Sequence, residues 1–388
     1  MGWSQFRKTG LTFHSPAQSY KGYTLVTPIG ADFSLLLDMD GRIAHRWSMP
    51  GSRVFNARLL PGGALLALSA DASLPPPPQV AFNQPPPPFD QHLRRLGGNA
   101  THLREVDWDG GLRWEYHNAQ IHHDFVRESN NHTLIAEWVE VSEELDRRVR
   151  GGVRRRGEKF PRMLCDDIVE INHHGKELHR WHLADVLDPV RDAICPLEQR
   201  WEWTHLNSLA VMPHGDVLFS CRSNSRVGII SRSNGQLRWK YGSPNIFHQH
   251  HASALPDGNV QIFDNGMHRV GMPYSRVVEV DPTSNSVAWE YVGEPPEQFF
   301  SGHISGAERQ PNGNVLICEG AAGRVFEITP RGETVWEWVS PFPITTHGRT
   351  RAWVFRAYRY APDFSGLAGR SLDAEAYVDL NRLYGLSG

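Results

Sequence analysis

The chain predicts an all-β fold, a six-bladed β-propeller with a short C-terminal helix, and three observations carry that prediction. An apolar strand, a tight turn and a second strand ending in tryptophan recur six times, at residues 35–47, 103–114, 168–181, 227–239, 277–289 and 325–336. Successive tryptophans lie about 67, 67, 58, 50 and 47 residues apart, the period range of propeller blades. A second pattern, an apolar strand running into a Gly- or Asn-centred turn, follows five of these units. Together the two halves make a four-stranded blade.

The second halves occupy residues 58–65, 126–134, 210–218, 254–260 and 309–316. Gly or Asn at each turn permits the positive φ of a tight hairpin. Apolar residues alternate or run together on both sides, as expected of strands buried between neighbouring blades. The sixth inner strand is predicted at residues 353–360 (WVFRAYRY), completing a blade begun elsewhere in the chain, because an unpaired sheet edge invites aggregation. A short amphipathic helix is expected within 371–386 as a structural cap.

One propeller domain spans 1–388, with insertions at 71–101 and 142–163. The first contains two tetraproline runs, which favour stiff polyproline II and cannot join a central strand. It reads more plainly as a rigid surface connection than as a lid. The second holds Arg147, Arg148, Arg150, Arg154, Arg155 and Arg156. Such a run is more often a solvated helix or loop than an anion trap.

A formal net charge of −3 provides no basic field, so no nucleic-acid partner is expected. The four cysteines, Cys165, Cys195, Cys221 and Cys318, have no CxxC spacing and suggest neither a zinc site nor a disulfide framework. The N-terminal residues lack a signal peptide's apolar run, and no stretch reaches membrane-spanning length. A cytoplasmic protein without a membrane partner is the expectation, and a homodimer is compatible with it.

The chemistry is predicted where the inner strands begin. Counting back from each turn places His123, His205, His248, His250 and His303 at the starts of four adjacent inner strands. Side chains two apart on a strand share a face. The pairs 121/123, 205/207, 248/250 and 303/305 should therefore point one way, bringing Asn207 along and leaving His122 and His251 on the opposite face. A single histidine is usually a hydrogen-bonded structural residue, but four in register are not a core. Crowded polar rings carry a desolvation cost that chemistry must justify. Imidazole serves either as nucleophile and proton carrier or as a transition-metal ligand. Arg222, one strand beyond His205, would repel a cation and suit a tetrahedral oxyanion.

The motifs GYTLVTP, HHDF (122–125), HLNS (205–208), SCR ending at Arg222, QHHA (249–252), FDNG (263–266) and the tail VFRAYRY resemble those of the arylsulfate sulfotransferase family. The resemblance implies a six-bladed propeller transferring a sulfuryl group from an aryl sulfate donor to a phenolic acceptor through a sulfohistidine, with no cofactor. By position in those motifs it implies His250 as the transient sulfuryl carrier. His205, His123 and Arg222 would bind sulfuryl oxygens and move the phenolic proton. Asn207, His303 and His248 are candidate substrate contacts, and Trp203, Phe247 and Phe125 could sandwich an aryl ring.

Two other readings stay open. A metal-dependent propeller enzyme would hold one transition metal ion (copper, iron or zinc) on His123, His205, His250 and His303. It lacks an in-register carboxylate, although Asp124 and Asp264 lie close in sequence. A non-catalytic binding propeller is the third.

Overall fold

The computed structural model describes residues 8–74, 89–154, 162–346 and 348–386. Each repeat forms a four-stranded sheet, and six such sheets make a six-bladed β-propeller. In chain order of their outer hairpins, blade 1 takes Val354–Tyr360 as inner strand, followed by Tyr23–Pro28, Phe33–Leu37 and Ile43–Ser48. The inner strands of blades 2 to 6 are Ser52–Leu59, Ile121–Arg127, Leu206–Val211, His250–Ala254 and Gly306–Arg309. Residues Gly63, Asn131, Gly215, Gly258 and Gly313, at the five turns read from the sequence, all have positive φ.

The chain divides into two compact units. The first comprises Met1–Ala72, Leu103–Glu115 and Ile304–Gly388, hence blades 1 and 6 and nearly all of blade 2. Its C-terminal strand Val354–Tyr360 pairs antiparallel with Tyr23–Pro28, as the sequence predicts. One strand lies outside the repeat: Gly10–His14 adds a fifth member to blade 6 along Thr334–Val339. The expected C-terminal helix is shorter than 371–386, a turn of 3-10 helix followed by Val378–Leu383. Asn381 clips it to blade 1, accepting from Ile43 N at 2.8 Å and donating to Ile43 O at 3.2 Å.

The second unit, Ser73–His102 and Tyr116–His303, contains blades 3, 4 and 5. Its core lies between adjacent blades, with Trp181, Trp203, Leu206 and Phe219 in one cluster and Trp239, Ile246, Val260 and Val278 in another. The repeat tryptophan reaches the next blade's hairpin: Trp239 Nε1 donates to Asn285 Oδ1 at 2.7 Å.

Side chains then hold the inner strands in place. Asp124 Oδ2 accepts from Leu209 N at 3.0 Å, Asp166 Oδ2 from Leu206 N at 2.7 Å, and Ser208 Oγ from Ala252 N at 2.9 Å. Asp264 holds Phe247 N at 2.9 Å and also pairs with Arg269 and Arg276. Each bond contributes about 1 kcal/mol net, but losing one partner strands a buried group at a cost of about 1–3 kcal/mol. Asp124 and Asp264 are thus structural staples.

The proline runs Pro75 to Pro78 and Pro85 to Pro88 lie outside the described residues, as do Arg155 and Arg156. The described part of the arginine-rich insertion is a solvated helix, Glu143–Arg148, capped by Ser142, followed by a strand, Gly151–Val153, that pairs with Ile194–Gln199; Arg147, Arg148 and Arg150 are exposed, while Val149 and Met163 are buried. Among the described residues no helix is long and apolar enough to cross a membrane.

Candidate functional site

Simple alternation does not survive at the starts of the inner strands of the second unit, because each strand bulges there. In blade 3, His122 and Phe125 face adjacent partners, so two residues are extra; Asn207 in blade 4 and His251 in blade 5 are single insertions. His123, His205 and His248 moreover adopt left-handed backbone, with φ of 53°, 54° and 53°. Non-glycine residues hold that conformation only where their surroundings fix it. His122 consequently joins the cluster it was expected to avoid: its Nδ1 lies 2.7 Å from His123 Nδ1, and its ring stacks on Trp138.

His250 is almost fully buried, and its hydrogen bonds define its tautomer. Nδ1 lies 2.8 Å from Asn265 Oδ1 and 3.2 Å from the His248 carbonyl. Asn265 Nδ2 donates to Ser301 O at 2.7 Å, which fixes the amide's orientation. Both groups at Nδ1 are acceptors, so Nδ1 carries the proton and Nε2 the lone pair. Burial, reinforced by Arg222, His205 and His303, holds its pKa well below the usual histidine value despite the Asn265 bond.

His205 meets a carboxylate that the sequence reading missed. Its Nδ1 makes a short hydrogen bond to Glu202 Oε2, three residues earlier. Burial alone would push the Glu202 carboxyl up, but the charge and hydrogen bond of His205 overcome this and hold it below its ordinary range. His123 packs edge-on against His205, with ring centroids 4.5 Å apart. Burial first, then the neighbouring imidazoles, keeps His123 neutral. Gly98 makes room for it: a Cβ there would lie 2.3 Å from His123 Cε1 and Nε2.

Arg222 is beside this group, its backbone N donating to His205 O at 3.1 Å. Its guanidinium is engaged by a second unforeseen carboxylate, with Nη1 2.7 Å from Glu198 Oε1. The same Oε1 lies 3.4 Å from His248 Nδ1. His248 is fully buried, and burial, followed by Arg222, takes its pKa down to about 2. Asn207 is fully buried too, donating through Nδ2 to Gln249 O at 2.8 Å. Gln249 in turn donates to Ser220 Oγ, Cys221 O and Arg226 O. HLNS and QHHA therefore fix the backbone that presents His250. His303 is half-buried, its carbonyl accepting from Ser301 Oγ at 2.9 Å.

Trp203 and Phe125 are core residues with no exposed ring, and Trp203 Nε1 donates to Asp192 O at 2.7 Å. Phe247 alone of the three keeps a partly open face, with Arg269 5.4 Å from its ring centre. Among the described residues, the group of three ligand atoms within 4.8 Å of one another is Cys195, His248 and His268. His123, His205, His250 and His303 form no such group.

Buried imidazoles, the Glu202 carboxylate and the Arg222 guanidinium gather near the starts of the inner strands of blades 3 to 5, a polar site on a β-propeller. The profile described as Arylsulfotransferase (ASST) matches residues 103–341, well over half of the sequence. The chain belongs to the arylsulfotransferase family, and its architecture is a sulfotransferase-type propeller. No curated protein matches it. A protein of unknown function from Bacteroides caccae is similar in structure at 13% identity and TM-score 0.51, covering 87% of this chain and 98% of that one. That likeness is one of fold alone. A streptogramin B lyase aligns at 14% identity and TM-score 0.46 over 88% of this chain and 84% of that one. A catalytically inactive virginiamycin B lyase from Staphylococcus aureus aligns at 12% and 0.43, over 81% and 85% respectively.

Proposed function

We propose that the protein moves a sulfuryl group from an aryl sulfate to a phenolic acceptor through a sulfohistidine at His250. One observation carries this reading: two acceptors hold the Nδ1 proton of a buried, neutral His250, leaving the lone pair on Nε2. Nucleophilic attack needs that nitrogen unprotonated. The same two acceptors stabilise the positive charge the ring develops as it bonds to sulfur.

In the first half-reaction the Nε2–S bond forms and the S–O bond to the aryl group breaks, its electron pair leaving on the phenolate oxygen. His205, oriented at Nδ1 by Glu202, delivers a proton to that oxygen through Nε2. Arg222 keeps N–H donors beyond those held by Glu198 for the sulfuryl oxygens, where charge accumulates in a loose transition state. His123 acts through His205 as a positioning residue. An acceptor phenol then returns a proton to His205 and its oxygen takes the sulfuryl group, restoring the His250 lone pair.

The test is intact-mass measurement after exposure to a chromogenic aryl sulfate, together with turnover in the presence of a phenol. The expected results are one added sulfuryl group on the native chain and none on His250→Ala, which loses transfer by about 10³-fold or more. A native chain that neither gains the group nor releases phenol would sink the proposal.

A further inference from the structure

We propose a second site in the same unit: a thiolate and two imidazoles, from Cys195, His248 and His268, that bind one zinc-class divalent cation. Three separate segments supply the ligands. Cys195 lies on the strand Ile194–Gln199, its backbone N anchored to Ser223 O at 2.8 Å. His248 precedes the blade 5 inner strand, with its backbone N donating to Ser225 Oγ at 3.1 Å. His268 sits in the loop between Val260–Asp264 and Arg276–Val280. Arg269 pins that loop to Asp264 at 2.6 Å, and Gly266 turns it with φ of 70° where a Cβ would lie 1.9 Å from Tyr274 O.

The spacing matches a tetrahedral ion. His268 Nδ1 lies 3.1 Å from His248 Nε2 and 3.4 Å from Cys195 Sγ, and all three atoms are within 4.8 Å of one another. Zinc–nitrogen and zinc–sulfur bond lengths give edges of roughly 3.3 Å between two nitrogens and roughly 3.6 Å between nitrogen and sulfur. The outer shell fits as well. Glu198 Oε1 lies 3.4 Å from His248 Nδ1, so a small rotation of the imidazole completes the carboxylate–histidine–metal arrangement that turns the Nε2 lone pair towards the ion. Arg222 would oppose a cation, but Glu198 pairs with it directly and the thiolate adds a further negative charge.

Burial raises the Cys195 thiol pKa, so a free thiol is the resting form. Binding M²⁺ forms the S–M bond and releases the thiol proton to solvent, so affinity rises with pH. Three protein ligands leave a fourth coordination position for water or another small ligand. The site is separate from His250, yet the two are linked: the His248 carbonyl also accepts the His250 Nδ1 proton.

The experiment is metal uptake by the chelator-treated full chain, without any sulfuryl donor, so its outcome is independent of transfer activity. Zinc is measured by elemental analysis after gel filtration, and Co²⁺ by its absorption spectrum. The expected results are about one zinc per chain and tetrahedral Co²⁺ bands with a thiolate-to-metal charge-transfer band, both displaced by zinc. Cys195→Ser should abolish the charge-transfer band, and His268→Gln should weaken zinc binding by at least about 100-fold. Glu198→Gln should weaken it by about 10–100-fold. Folding of each variant is checked by circular dichroism, and the exposed His174→Ala serves as the control expected to bind normally. Stoichiometry below about 0.1, a cobalt spectrum without the thiolate band, or unchanged binding by a folded Cys195→Ser overturns the assignment.

Discussion

The two three-blade units use one blade plan for opposite electrostatic purposes. Blade 2 of the first unit carries the same kind of inner-strand bulge, between Val54 and Asn56, as blades 4 and 5 of the second. In the first unit the strand starts hold Arg53 and Ser305, and buried charge is locked away: Arg359 pairs with Glu327, both side chains wholly buried. Burial drags the Arg359 pKa down to about 10 against the pull of Glu327, and the guanidinium stays charged. In the second unit the corresponding positions are histidines, and the buried carboxylate, Glu202, faces an imidazole. Guanidinium–carboxylate pairs stay as they are through a reaction; imidazole can gain and lose a proton. On the proposed function, the propeller separates scaffold from chemistry by residue choice near a few bulged positions.

Breaking the second unit's pair should give the largest effect. Glu202→Gln keeps the shape but removes the charge behind His205, and turnover of an aryl sulfate should fall about 10²–10⁴-fold with little change in melting temperature. A purely structural Glu202 would lower melting temperature and leave kcat intact. The mirror experiment is Glu327→Ala, which strands Arg359 and should cost about 3–5 kcal/mol of stability by denaturant titration. Turnover of the molecules still folded should be unchanged.

The smallest effect concerns pH. His123, His248 and His250 bind protons less readily folded than unfolded, so the unfolded chain takes up more protons below about pH 6.5. Stability should therefore be constant above that value and fall as pH drops towards 5, by up to about 1.4 kcal/mol per pH unit for each histidine. His45 of the first unit, lowered to about 4 by burial, acts with the same sign. Denaturant titrations at several pH values measure the slope, and a folded His248→Gln should show a shallower one. An unchanged slope would mean His248 titrates alike in both states.

Features set by neighbouring residues were legible in the sequence. Six tryptophan hairpins and five turn residues with positive φ could be read because turn chemistry is local. The strand Val354–Tyr360 was legible because a missing inner strand had to come from somewhere. Strand Gly10–His14 was not, since it joins an outer edge that no repeat requires. At the candidate site the histidines stood out, but alternation mis-sorted His122, because bulges of one or two residues reset the faces. Glu198 and Glu202 were missed because they lie in the segment between blades 3 and 4, outside every repeat. Cys195 was passed over because its partners come from distant segments rather than a CxxC spacing. Asn265 stood within FDNG, yet only three dimensions place its amide oxygen on His250.

Gly98 ties the first insertion to the chemistry in a way that outlasts any particular substrate. The absent side chain is the seat in which the His123 ring rests. A lineage that lengthens, shortens or recomposes the proline-rich stretch remains free to do so only up to this residue. Beyond it, drift in the insertion becomes a displacement of an imidazole, and two features that look unrelated along the sequence are obliged to evolve together.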